Sequence, residues 1–341
     1  MNIIQRNFFR LLRAGAFQTE ELIEPMSAWK WGQVLFWAKK LGVAPLLYDG
    51  ADACSDQFYM HLTDEQHRQW LQETDQVEQR NLEASANVAE LLATLGSLQL
   101  RPILMEPWTT ASLYPIPNHH RTGLVCIYFP FTTQGNKADE WARTNGQDVN
   151  SPSRHVLQYQ WKSLRVEHRH SMLQLSNKLN NMTLHHIIEQ EWLDGGTSHI
   201  VVSGQRIETI APTLTLLVAL ITIIKSLLNE GMHLWQLVDL GMLLRQQGDH
   251  VDFVKMQEWI ERLHFSRMAQ MVGTLLTELL GFSTDEVPFM QQTATTGHVE
   301  PVIAELFSDS HSTARYFRYS PGESLSNVVA SITHSLGNIE E

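Results

Sequence analysis

Few residues in this 341-residue chain have the types and spacing to do chemistry. Histidines come as His119-His120, as His185-His186 and in the triplet His168-Arg169-His170. Adjacent histidines on a strand point to opposite faces, so they do not chelate one ion together. No H-E-x-x-H and no Cys/His cluster accompanies them, and they read as surface or structural histidines. Cys126 lies between Val125 and Ile127. Those flanks describe a buried small hydrophobe with a raised pKa, not a reactive thiol. Glu167 is a candidate carboxylate ligand. Its plainer reading is a strand carboxylate at a sheet edge, paired with Arg165 or Arg169. Arg121, with Tyr114 and His119-His120 close by in the chain, could hold a phosphate; otherwise it belongs to a solvated loop. No G-x-S-x-G, Walker loop or G-x-G-x-x-G occurs.

The elements that must position these residues centre on 102–130, which reads PILMEPWTTASLYPIPNHHRTGLVCIYFP. Residues 103–105 suit a short buried strand and 108–113 one or two helical turns. Tyr114-Pro115-Ile116-Pro117 is a stiff connector, because proline fixes φ and removes a donor. Residues 124–129 are almost wholly apolar, as expected of a strand internal to a sheet.

This stretch resembles a bacterial family known as the uncharacterised nucleotidyltransferases, within the DNA-polymerase-β-like nucleotidyltransferase fold. Members read roughly Leu-Lys-Gly, a short helix, Tyr-Pro-x-Pro, a nearby arginine, then Gly-Asp-Ile-Asp-Leu-Tyr-Phe. Leu104, Tyr114, Pro115, Pro117, Arg121, Gly123, Ile127, Tyr128 and Phe129 fit that pattern. The chemistry does not. The Lys-Gly pair reads Met105-Glu106, and the two aspartates fall on Leu124 and Cys126. The resemblance makes Glu167 the retained third acidic position and Asp239 a retained aspartate, with Trp235 where an arginine is common.

Nucleotidyl transfer requires Mg²⁺ held by carboxylates against triphosphate oxygens. Asp-x-Asp on a strand presents both carboxylates on one face. Leucine cannot bind a hard cation, and a thiol is a soft ligand poorly matched to Mg²⁺. The resemblance therefore implies the fold and argues against the activity. The expected protein is an inactive member that acts by binding a small-molecule or protein partner, with at most weak, metal-independent nucleotide affinity. The alternatives are an active enzyme using Mg²⁺ with Glu106, Asp139 and Glu140 as substitute carboxylates, and a plain helical interaction scaffold. No cofactor is expected unless the active alternative holds. Leu124 and Cys126 are expected to line an apolar, partly collapsed floor.

Charged residues make up 18% and hydrophobic residues 43% of the chain, a globular balance. The formal net charge of −12 disfavours non-specific nucleic-acid binding, which needs a basic surface. Two cysteines, Cys54 and Cys126, make neither a disulfide framework nor a metal cluster, consistent with a reduced, cytoplasmic protein. The N-terminus, MNIIQRNFFRLLR, lacks the continuous apolar core of a signal peptide and reads as an amphipathic helix packed on the domain. The apolar run 210–228 carries Pro212 and Lys225 and reads as a buried helix, not a membrane span.

The chain divides on pattern into a helical region (1–98), an α/β core (99–210) and a helical bundle (211–341). The fold class is α+β: a nucleotidyltransferase-like mixed sheet flanked by helices, predominantly helical overall. A helix begins at Ser27, ends at Gly42 and should bury Trp29, Leu35, Phe36 and Trp37. Thr63 opens a long helix to about 98, with Val77, Leu82, Val88, Leu91, Leu92 and Leu95 at helical spacing. Strands are expected near 102–105, 123–130, 155–161 and 163–168, with a helix at 136–144 and a polar helix-and-loop region at 173–191. A hairpin turns at Ser203-Gly204. Later helices are expected at 213–230, 233–247, 252–264, 267–280, 299–308 and 323–336.

Overall fold

The computed structural model describes residues 1–229, 231–290 and 299–308. Helix α1 (Ile3–Phe17) starts at a capping box in which Asn2 accepts from the Gln5 amide at 3.0 Å and Gln5 returns the bond at 2.8 Å. Helix α2 (Ala28–Lys40) follows, then α3 (Ala44–Ala53). The buried side of α1, with Phe8, Phe9, Leu11 and Leu12, lies on α3. The backbones touch there: a Cβ at Gly50 would stand 1.9 Å from the Leu11 carbonyl oxygen.

In α2 the sequence expectation is half right. Leu35 is buried together with Trp31, Val34 and Ala38, but Trp29 is 68% exposed and Phe36 47%. Residues 31, 34, 35 and 38 form one helical stripe, and Trp29 and Phe36, seven apart, share the opposite one. Helix α4 (Asp64–Ser97) is capped by Thr63 with Gln66, and its C-terminal half buries Val88, Leu91, Leu92 and Leu95. Near its middle Leu82 is exposed and Val77 only partly covered, contrary to the apolar spacing.

The sheet begins with β1 (Ile103–Leu104), followed by the single turn α5 (Trp108–Ala111), β2 (Leu124–Tyr128) and α6 (Thr132–Asn145). Next come β3 (Gln147–Ser153), β4 (Val156–Trp161), β5 (Leu164–Arg169), α7 (Lys178–Leu193), β6 (Thr197–Val202) and β7 (Gln205–Ile210). The seven strands lie in the order β3-β4-β5-β2-β1-β7-β6. Strand β2 is internal, parallel to β5 and antiparallel to β1. Strand β5 is internal too, so Glu167 does not stand at a sheet edge. A mixed sheet of this size sets aside the plain helical scaffold.

Helices α8 (Pro212–Asn229), α9 (Leu234–Gln247), α10 (Phe253–Arg262), α11 (Ser266–Leu280) and α12 (Val299–Leu306) complete the order. The helix expected at 323–336 lies outside the described residues. Helix α8 alone among the described residues is long and apolar enough to cross a membrane, and 72% of that window is buried in protein.

Period-two alternation divides the sheet residues between two cores. Ile103, Met105, Cys126 and Tyr128 join the large core made with α1–α3 and α8–α12. Leu104, Val125, Ile127, Leu164 and Val166 join a smaller core with α4 and α6 on the other face.

Candidate functional site

A cavity of about 640 Å³ opens over the first of these faces. Its floor is Met105, Leu124 and Cys126, one residue from β1's end and two from β2. On β5 the same face carries Arg165, Glu167 and Arg169, all lining the cavity. Register sets the pairing: Leu124 stands beside Arg165, Cys126 beside Glu167 and Tyr128 beside Arg169. The floor is apolar as expected, but it has not collapsed. Flanking helices α8 and α9 supply Val218, Thr222, Trp235, Gln236 and Asp239 to the opposite wall, which holds the pocket open.

The Glu167 carboxylate is already engaged. The Nε of Arg169 donates to Glu167 Oε1, and Gln158 Nε2 donates to Glu167 Oε2 at 2.6 Å. A second guanidinium hydrogen bond runs from Arg169 Nη1 to the Met172 carbonyl at 3.2 Å. Of the two partners the sequence offered Glu167, the structure uses Arg169. Burial pushes the Cys126 thiol up to about 11; Arg169 works the other way, and Glu167 and Glu106 add to the rise. This thiol is therefore protonated at neutral pH, as its apolar flanks implied.

Glu106 also lines the cavity. Burial, then the charge of Asp239, raises its carboxyl well above the usual range, only partly offset by Arg169. Its Oε1 is shut off from solvent and has no hydrogen-bond partner, and the same holds for Gln236 Oε1. Of the other proposed substitutes, Asp139 lies on the far side of the sheet, bonded to His168 and His170, and Glu140 is exposed on α6. Among the described residues no three His, Cys, Asp or Glu side chains converge on a metal-holding geometry. Leu124, Cys126 and Glu167 together do not fit Mg²⁺: one is a hydrocarbon, one a protonated thiol, and the carboxylate faces an arginine.

The loop before β2 is pinned from two sides. Asn81 on α4 donates to the carbonyls of Asn118 (2.6 Å) and His120 (2.7 Å) and accepts from Thr122. Asp239 on α9 accepts from the Tyr114 hydroxyl at 2.6 Å and is bonded to His120 Nε2 at 2.8 Å. His119 turns away to Asp49, 2.8 Å from its nearer oxygen. Tyr114 and His120 are thus buried behind the pocket wall, and burial together with Asp239 raises the Tyr114 hydroxyl well above its ordinary pKa. Arg121 is different. Its guanidinium lies over the Trp235 ring, 5.6 Å from the centroid, and against Gly42. A Cβ at Gly42 would come 2.5 Å from Arg121 Nη1, and φ there is +70°, so glycine alone leaves that berth. Arg121 lines both this cavity and a second one of about 550 Å³ on the α4 side.

Sequence reasoning brought Arg121, Leu124, Cys126 and Glu167 together. It missed that Arg165 and Arg169 face the pocket as a pair, although their two-residue spacing from Glu167 on a strand was the signal. The partnership of Asp239 with Tyr114 and His120 spans more than a hundred residues and had no local trace.

A mixed seven-stranded sheet between helical units, with a pocket over the β2–β5 face, defines a nucleotidyltransferase-like α+β protein. The chain belongs to the uncharacterised nucleotidyltransferase family, whose model matches residues 27–281. Among solved structures it is similar to an antigenic nucleotidyltransferase-like protein from Paracoccidioides brasiliensis. That likeness is 14% identical, covers 63% of this chain and 96% of the other, and has a TM-score of 0.40. A search of curated proteins gives no match.

Proposed function

We propose that this protein has the nucleotidyltransferase fold without the transfer activity, and that in the cytoplasm it acts by binding a ligand or partner at the β2–β5 pocket. The observation that carries this reading is the pair Leu124 and Cys126, side by side on the pocket floor where Mg²⁺ would need two carboxylates. The active alternative gains little from Glu106: burial and the charge of Asp239 raise its carboxyl well above the usual range, which disfavours the ionised form a hard cation needs. Incubation of the full chain with each of the four nucleoside triphosphates and Mg²⁺ should release no pyrophosphate above buffer. Pyrophosphate release that disappears in Glu167→Gln would show catalysis at this pocket and end the proposal.

A further inference from the structure

The formal charge of the whole chain is −12, yet the pocket is weighted toward positive charge. Three guanidiniums, Arg121, Arg165 and Arg169, line it. Two of its acidic side chains are paired, Glu167 by Arg169 and Asp239 by Tyr114 and His120, and burial disfavours the charged form of the third, Glu106. Arg121 has no carboxylate partner among the described residues. It rests on Trp235, and partial desolvation lowers its pKa, the mark of a cation drawn from water without a counter-charge. Arg165 is exposed beside Leu124 and likewise has no carboxylate partner among the described residues.

Arg169 is mostly buried. Burial works to lower its pKa, but the carboxylate of Glu167, to which its Nε donates, helps to raise it above the ordinary value. It thus holds, from within the chain, the carboxylate that pairs in register with Cys126 on the pocket face.

We propose that Arg169 is the resident cation of this pocket, standing where a divalent metal would be needed, and that with Arg165 and Arg121 it forms a metal-independent site for a small molecule bearing an oxyanion head group, phosphate or carboxylate. This rests on the non-catalytic reading above. The planar fork of arginine matches both head groups, and hydrogen bonds between ionised partners are the strong ones. A cavity of about 640 Å³ is of small-molecule size.

Calorimetric titration of the full chain tests this, in EDTA and again with Mg²⁺, using inorganic phosphate, pyrophosphate, AMP and citrate as probes. At least one probe should bind in EDTA, with the same affinity in Mg²⁺. Arg165→Gln and Arg121→Gln should each weaken it roughly tenfold or more while the melting temperature holds. Preference for the phosphates over citrate, or the reverse, identifies the head group. Arg169→Gln removes the partner of a buried carboxylate and can cost folding, so a second pair of variants reads its role. Leu124→Asp with Cys126→Asp, keeping Arg169, should gain no thermal stabilisation from Mg²⁺; adding Arg169→Met should create it. Three results would overturn the proposal. If no probe binds in either buffer, the anion site falls and the non-catalytic reading stands. If binding needs Mg²⁺, both fall. If the double variant is stabilised by Mg²⁺ as much as the triple, or the arginine substitutions leave probe binding unchanged, Arg169 and its neighbours are not the site.

Discussion

The two faces of strand β5 hold polar side chains under opposite conditions. On the α6 face, His168 is bonded through Nδ1 to Asp139 at 3.1 Å and through Nε2 to the Tyr159 hydroxyl at 2.9 Å. His170 Nε2 lies 2.9 Å from the other Asp139 oxygen. Every ring nitrogen of His168 and both carboxylate oxygens of Asp139 are used. On the pocket face, Arg121 and Arg165 lack carboxylates among the described residues, and Glu106 Oε1 and Gln236 Oε1 lack any partner. Buried polar groups that are fully paired fix a core; those left with spare capacity point to something that arrives later. A carboxyl is structural on one face, at Asp139, and unpartnered at one oxygen on the other, at Glu106, and only its partners tell the two apart.

Substitution on the satisfied face should have the largest effect on stability. Burial works to raise the Asp139 carboxyl, but the hydrogen bonds from His168 and His170 together outweigh it and hold the pKa below the ordinary value. Asp139→Ala removes two hydrogen bonds to a charged group, each worth ~1.5–3 kcal/mol. Urea unfolding should show a loss of about 3 kcal/mol, with ligand binding at the pocket intact in the folded fraction. Arg165→Gln on the other face should move stability by no more than about 0.5 kcal/mol. Equal losses from the two would erase the contrast between the faces.

An intermediate effect is expected from Leu124→Asp with Cys126→Asp. Full burial of a leucine is worth roughly 1.5–3 kcal/mol, and Leu124 is only half-buried, so a loss near the lower figure is expected in chelator. A double variant as stable as wild type in thermal melts would mean that these two side chains are not the pocket floor.

The smallest effect belongs to Glu106. Its native carboxyl binds a proton more tightly than in the unfolded chain, because burial and Asp239 raise its pKa. That contribution is complete below the ordinary carboxylate value and is lost as pH rises toward the native one. Glu106→Gln, which cannot ionise, should match wild type near pH 4 and exceed it at pH 8, flattening the stability profile. An unchanged profile would mean that Glu106 reaches solvent as an ordinary carboxylate.

How legible this was in the sequence varies with the range of the forces involved. Local pattern sufficed for the capped helix α4, the hairpin of β6 and β7 about Ser203-Gly204, the apolar strand β2 and the run of helices from α8 to α11. It failed for β3, QDVNSPS, five of whose seven residues are polar and all but one exposed, so neither alternation nor hydrophobicity marks them. It assigned no element to α3, which carries Pro45 and Gly50; Pro45 sits in the first turn, where its missing N–H costs nothing, and Gly50 is needed for contact with α1. The pocket floor was legible because it lies in one contiguous motif. The arginines facing it were less so, because their role depends on the β2–β5 register, which joins residues some forty positions apart. That Asp239 is occupied by Tyr114 and His120, and so absent as a free ligand, depends on packing α9 behind the loop, which no local pattern encodes.

The central claim is that the pocket has no use for a divalent metal. Its most direct test is calorimetric titration of the full chain with ATP, GTP, CTP and UTP at millimolar concentration, in matched buffers with Mg²⁺ and with EDTA. The account predicts that any heat of binding is the same in both buffers for all four. Micromolar affinity for any one of them that appears with Mg²⁺ and vanishes with EDTA would contradict it.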